Sequence, residues 1–215
     1  MIDSAPSVIV VGAGGHAKVI IGALQALGRL EITVYDDNPA KWNTLHLGCP
    51  VRGPIERLSE DDGLETILAV GDGLLRQKLA EQYPHRRWAT VVHPHAWVHQ
   101  SATLEHGTVV FAGAVIQPSV SIGAHVIVNT GATVDHDCSI GDFAHLAPGV
   151  HLAGTVTLGR QTMLGMGAVA NPGITIGDFS IIGAGGTVVR DIPAGVIATG
   201  CPAHVVRQRE MPAGV

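Results

Sequence analysis

The segment Thr133-Val-Asp-His-Asp-Cys138 sets one imidazole, His136, between two carboxylates, Asp135 and Asp137. A carboxylate that accepts the Nδ1 proton fixes the tautomer, leaves Nε2 as the basic nitrogen and stabilises the imidazolium once it forms. Such a pair can take a proton from an amine or hydroxyl nucleophile. The same residues also suit a solvated histidine between two acids, so the segment alone leaves both readings open. A second stretch, Gly12-Ala-Gly-Gly-His-Ala-Lys18, has Gly12, Gly14 and Ala17 in the pattern G-x-G-x-x-A, with Asp36 about 20 residues on. A glycine-rich turn of this kind presents backbone N–H groups and a positive helix end to a phosphate. It also occurs as a tight turn that needs glycine for steric reasons alone. Asp36 and Asp37 can accept hydrogen bonds from ribose hydroxyls or a base edge, or cap a turn before Pro39.

These groups need elements to hold them. Ser7-Val-Ile-Val-Val-Gly12 reads as a buried parallel strand, and Val19 to Leu27 has helical periodicity. Glu31 to Tyr35 is a second strand, Cys49 to Arg52 a short third and Leu64 to Val70 a fourth. Gly71-Asp72 then leads into a helix from Leu74 to Gln82, and Trp88 to Val91 forms a last short strand. Alternating strands and helices predict a parallel α/β sheet over residues 1–90. A dinucleotide fold uses two such halves, so this half-Rossmann-like domain suits one nucleotide.

From Val92 to Val188 every sixth residue is small or large aliphatic: Val92, Val98, Leu104, Val110 and onward through Val134, Ile140 and Leu146 to Ile182 and Val188. Four places after each comes a second, mostly small residue, Cys138 among them. Period six is neither helical nor that of a half-buried strand; it marks a hexapeptide β-helix, three hexads to a coil. The all-β domain therefore runs over residues 91–215, its tail after Val188 capping the last coil. Residue n stacks over n+18. Val134 and Cys138 face the shaft and His136 faces outward. The unbroken register leaves no room for an inserted catalytic loop, so the chemistry comes from turn residues. His145 and His151, one hexad apart, sit on different sides of the coil. Zinc would need imidazoles from neighbouring chains, which argues against a metal site.

Between Val98 and Val188 the only charges are Glu105, Asp135, Asp137, Asp142, Arg160 and Asp178. That is too few for three solvated faces and predicts burial against other subunits, a trimer by the symmetry of a triangular prism. His136 lies half a perimeter from His145, so a site using both is shared between subunits. The net charge of −5 makes nucleic acid an unsuitable partner. No apolar stretch reaches the ~18 residues of a membrane span. Cys49, Cys138 and Cys201 lie far apart, as in a reducing cytoplasm, and the first residues lack a basic leader region.

The chain resembles the bacterial sugar acetyltransferases that use acetyl-CoA, acting on sialic acid or on nucleotide-linked amino sugars such as the bacillosamine precursor. The resemblance rests on Val11 to Lys18, Asp36-Asp37, Val70-Gly71-Asp72, Asn129 to Asp137, Ala144 to Gly154 and Gly200-Cys-Pro-Ala203. It implies a homotrimer of left-handed β-helices, each bearing a small nucleotide-binding domain, with His136 as general base, Asp137 orienting it and Asn129 and His145 near the reacting groups. It also implies nucleotide-sugar contacts at Gly12, Gly14, Gly15, His16, Asp36, Asp37, Gly71 and Asp72. Candidate acetyl-CoA contacts are Gly154, Ala184 and Pro202, and no metal is expected. His204 stands where this family often has lysine. The expected reaction is direct acetyl transfer to an amino sugar in the cytoplasm. A sialic-acid-type O-acetyltransferase, a γ-carbonic-anhydrase-like metalloenzyme and a non-catalytic trimeric scaffold are the alternatives. The sugar, the nucleotide and the pathway are not legible.

Overall fold

Four buried aliphatic residues form strand β1, Val8–Val11, the centre of the first unit. In the computed structural model, residues 8–58 and 63–210 are described, and the chain parts into two units between Pro94 and His95. Ser7 lies outside the described residues. Helix α1, Gly15–Ala26, follows and buries Ala17, Ile20, Ile21, Ala23 and Leu24 on one face. Strand β2, Ile32–Tyr35, pairs with β1 in parallel. The expected third strand is instead a small antiparallel hairpin of β3, Leu45–His46, and β4, Cys49–Pro50; Gly48, at φ +80°, makes its tight turn. Strand β5, Glu65–Leu68, pairs with the other side of β1, helix α2 spans Gly73–Gln82, and β6, Arg87–Trp88, takes the edge. The sheet order is β2-β1-β5-β6. Consecutive connections thus leave β1 on opposite sides, and the crevice between the loops after β1 and β5 is where open α/β sheets bind ligands.

The second unit is a parallel β-helix of two-residue strands eighteen residues apart. Three sheets make its sides. One carries Val109, Ile127, His145, Met163 and Ile181 outward. The next carries Trp97, Val115, Thr133, His151, Val169 and Thr187. The last is a ladder of hydroxyls: Thr103, Ser121, Ser139, Thr157 and Thr175. The period-six residues line the shaft, with Val110, Ile116, Ile122, Val128, Val134, Leu146, Ile176 and Val188 fully buried. The shaft hydroxyls are satisfied by turn carbonyls: Thr108 Oγ1 donates to Gly123 O (2.8 Å) and Ser180 Oγ to Pro193 O (2.7 Å).

Each corner turns through one residue in the left-handed region. Along one corner these are Ser119, Asp137, Thr155 and Gly173, along the next His125, Phe143, Gln161 and Phe179, and along the third Gly113, Gly131, Gly149, Gly167 and Gly185. Asp137, at φ +59°, therefore takes the ordinary turn conformation of this coil. After the last coil, Val196–Thr199 continues the first sheet and His204–Gln208 returns antiparallel to cover its edge. No helix among the described residues is long and apolar enough to cross a membrane.

Candidate active site

The turn 135–138 joins Thr133–Val134 to Ser139–Ile140 and lifts His136 off the shaft. Its side chain is 57% exposed, and Nδ1 lies 2.8 Å from Asp137 Oδ2. In the neutral tautomer set by that contact, Nδ1–H donates to the carboxylate and Nε2 is the free base. Asp135 Oδ1 accepts the His136 backbone N–H at 2.8 Å and fixes the turn. The hydrogen bond to Asp137, aided by the Asp135 charge, raises the imidazole pKa above its ordinary value. A Cβ on Gly154 would stand 2.6 Å from both His136 Cε1 and Nε2, so the imidazole lies on the bare Cα of the residue one coil on. The Gly154 N–H has no acceptor among the described residues.

Cys138 is buried in the shaft, its thiol donates to Ala153 O (3.2 Å), and burial pushes its pKa up. A protonated, enclosed thiol is a poor nucleophile. Asn129 and His145 are brought together, Nδ2 and Nε2 lying 3.3 Å apart. They belong to the first sheet and the turn after it, whereas His136 occupies the corner between the other two sheets. A corner of a triangle faces the opposite side, so the filled shaft stands between His136 and His145. Ala184 lies on the glycine corner. There Gly200 O accepts from Thr187 N and Thr187 O accepts from Ala203 N, which sets Pro202 beside it. Gly154 lies on the His136 corner, away from both.

In the first unit, Gly12 is required: its φ is +107°, and a Cβ would lie 3.1 Å from Ala69 O. Gly14 caps α1 without a side chain, and added Cβ atoms on Gly14 or Gly15 meet nothing within 4 Å. The loop thus keeps an open helix end. His16 stands in the first turn of α1, and His46 Nε2 touches Gly14 O at 3.1 Å. Asp36 braces this loop. Its Oδ2 accepts from Ala13 N (2.7 Å) and Lys41 Nζ (3.0 Å), and its Oδ1 from Asn38 N (2.9 Å). Burial pushes its carboxyl up, but the Asn38 and Ala13 N–H groups and Lys41 outweigh it and hold the pKa below the usual value. Asp37 Oδ1 accepts from Ile55 N at 2.8 Å. Both carboxylates expected to meet ligand are thus engaged with the chain itself. Asp72 caps α2 by accepting from Leu75 N (2.8 Å). Sequence reasoning missed two residues here. Gly154 was named only as an acetyl-CoA contact and not as the seat of His136, and buried Arg76 was not singled out.

Among the described residues no three His, Cys, Asp or Glu side chains gather as metal ligands would. Residues 7–83 match the PglD N-terminal domain family. A UDP-N-acetylbacillosamine N-acetyltransferase of Bacillus subtilis is 39% identical over 113 residues, 49% of this chain and 51% of that protein, so the likeness spans about half of each. PerB from Caulobacter crescentus, solved with CoA and GDP-perosamine, is 43% identical with TM-score 0.87 over 93% of this chain and 96% of that one. The acetyltransferase domain of PglB from Neisseria gonorrhoeae, solved with acetyl coenzyme A, is 34% identical with TM-score 0.87, covering 94% and 99%.

Proposed function

The chain belongs to the bacterial amino-sugar N-acetyltransferases that carry a PglD-type N-terminal domain, and on that premise we propose that it moves the acetyl group of acetyl-CoA onto the amine of a nucleotide-linked sugar. The observation that carries the mechanism is the exposed His136 imidazole held by Asp137 Oδ2 at 2.8 Å and seated on Gly154. The sugar amine attacks the thioester carbonyl, His136 Nε2 takes the proton lost from nitrogen, and the imidazolium is stabilised by Asp137. Collapse of the tetrahedral intermediate breaks the C–S bond and releases CoA, whose thiolate takes a proton. The Gly154 N–H is the proposed donor to the carbonyl oxygen as it gains charge. Transfer is direct, since the buried Cys138 thiol is no acyl carrier.

The nucleotide belongs at the open end of α1, with Gly14 and Gly15 toward its phosphates and the Gly71-Asp72 loop across the crevice. Asn129 and His145 act near the acceptor. Because the shaft separates His145 from His136, a neighbouring subunit supplies one or the other, and the working unit is a homotrimer. The apolar outward residues Met163 and Ile181 of the first sheet support such a contact, as do Ala184 and Pro202 for acetyl-CoA along the glycine corner. Three unpaired thiols, Cys49, Cys138 and Cys201, suit the cytoplasm.

Thiol release from acetyl-CoA with a panel of UDP-, GDP- and dTDP-linked amino sugars tests the proposal. Release with an amino sugar and not with its hydroxyl counterpart is the expected result. Release with hydroxyl acceptors alone would mark an O-acetyltransferase, and none with any acceptor would end the enzymatic reading.

A further inference from the structure

Arg76 is the most deeply buried cation of the first unit, 1% exposed. It points back from the first turns of α2 to the loop after β5. Its Nη1 donates to Val70 O at 2.9 Å and to Gly71 O at 3.0 Å. Burial lowers its pKa to about 10, which the nearby Asp72 charge opposes, so it remains a cation at neutral pH.

Two carbonyls held inward have a geometric consequence. In a trans peptide the N–H points opposite to the C=O, and the only cis bond among the described residues is Cys201–Pro202. With Val70 O and Gly71 O turned to Arg76 in the interior, the N–H groups of Gly71 and Asp72 turn outward. Neither N–H has an acceptor among the described residues. Asp72 is exposed and Gly71 half-buried. The loop adjoins Gly12, whose built Cβ would lie 3.1 Å from Ala69 O and 3.5 Å from Val70 Cγ2. Two amides turned away from the interior thus lie on the loop beside the glycine turn of α1.

We infer that Arg76 is a positioning residue of the nucleotide site: it turns the Gly71 and Asp72 N–H groups toward the crevice, where they bind a phosphate oxygen of the nucleotide. The inference rests on the proposed nucleotide-sugar reading. It assigns the phosphate grip on this side of the crevice to backbone amides backed by a buried cation, with no basic side chain reaching the ligand. The guanidinium fork matters because it serves two carbonyls at once, which the single ammonium of lysine does less well.

Binding of UDP and of GDP by titration calorimetry, on the full chain, tests this together with amide hydrogen exchange of the peptide covering residues 69–73. In the unaltered protein, saturating nucleoside diphosphate is expected to slow exchange in that peptide. R76M and R76K are expected to raise Kd about tenfold to a hundredfold, the loss of charge-assisted hydrogen bonds, while KM for acetyl-CoA stays within about twofold. If R76M does not fold, R76K and the exchange measurement carry the test. Nucleotide binding by the unaltered protein with no slowing in 69–73, or equal affinity in a folded R76K or R76M, overturns the inference and leaves the proposed function standing. Failure of the unaltered protein to bind any nucleotide overturns both.

Discussion

The His136 imidazole rests on Gly154: a Cβ on that glycine would come 2.6 Å from the ring's Nε2 and Cε1, well inside contact distance. Gly154 has no unusual φ, so its glycine is explained by the ring above it. Gly154→Ala must push the imidazole off its seat and away from Asp137. The expected result is a fall in kcat of about a hundredfold or more, the usual worth of a general base, with the β-helix intact by circular dichroism. Turnover near that of the unaltered protein would show that the ring needs no such seat.

Asp137 raises the pKa of His136, so at low pH the base is lost to protonation. Activity then rises with pH as imidazolium becomes imidazole, along a limb lying above the ordinary histidine value. Asp137→Asn removes the first cause of the shift. Its kcat/KM limb is expected to move to lower pH while the plateau drops, because the tautomer and the imidazolium both lose their partner. A limb that stays in place in the pH–rate profile would assign it to another group.

The filled shaft between His136 and His145 makes complementation informative. His136→Ala and His145→Ala are each expected to be nearly inactive alone. Mixed trimers, made by refolding the two together, should regain part of the activity, since some interfaces then hold one intact set from each chain. No recovery in mixtures confirmed as heterotrimers would argue for a site within one subunit.

Asp36 ties the glycine loop to β2 through Ala13 N and Lys41. Asp36→Ala strands the Ala13 N–H and is expected to destabilise the protein by about 1–3 kcal/mol and to raise KM for the nucleotide sugar while sparing that for acetyl-CoA. Because the folded carboxyl is held below its ordinary pKa, its contribution is complete above about pH 4 and fades as pH falls through the lower folded value. Urea denaturation of both proteins at pH 7 and pH 3 should show the difference shrinking in acid. A constant difference would mean that the charge plays no part.

The shaft was legible because its interior accepts only aliphatic or small residues at a fixed period, and Val110, Val134, Leu146 and Cys138 are buried as that period requires. The outward turn of His136 followed from the same register. What register arithmetic did not yield was steric support across coils. Gly154 beneath His136 and Gly107 beneath buried His125, where a Cβ would lie 2.2 Å from Nδ1, are both eighteen residues from their partners, a relation visible only once the ring's lean is known. In the first unit the strands were readable from their apolar runs. The short hairpin at Leu45–Pro50 was not, because two-residue strands carry no periodicity. The loop contacts of Asp36 and Asp37 were open for a related reason: an acid after a strand can face a ligand or its own loop, and only geometry shows the bonds to Ala13, Asn38, Lys41 and Ile55. Arg76 was invisible, since α2 is weakly amphipathic and a guanidinium in its second turn looks like a solvated charge.

The central claim is that His136 is the base for acetyl transfer, and the kinetics of His136→Ala test it most directly. With acetyl-CoA and the best nucleotide-linked amino sugar, kcat is expected to fall about a hundred- to ten-thousandfold, with KM for acetyl-CoA nearly unchanged. A variant that is folded, binds both substrates and turns over within threefold of the unaltered protein would contradict the account.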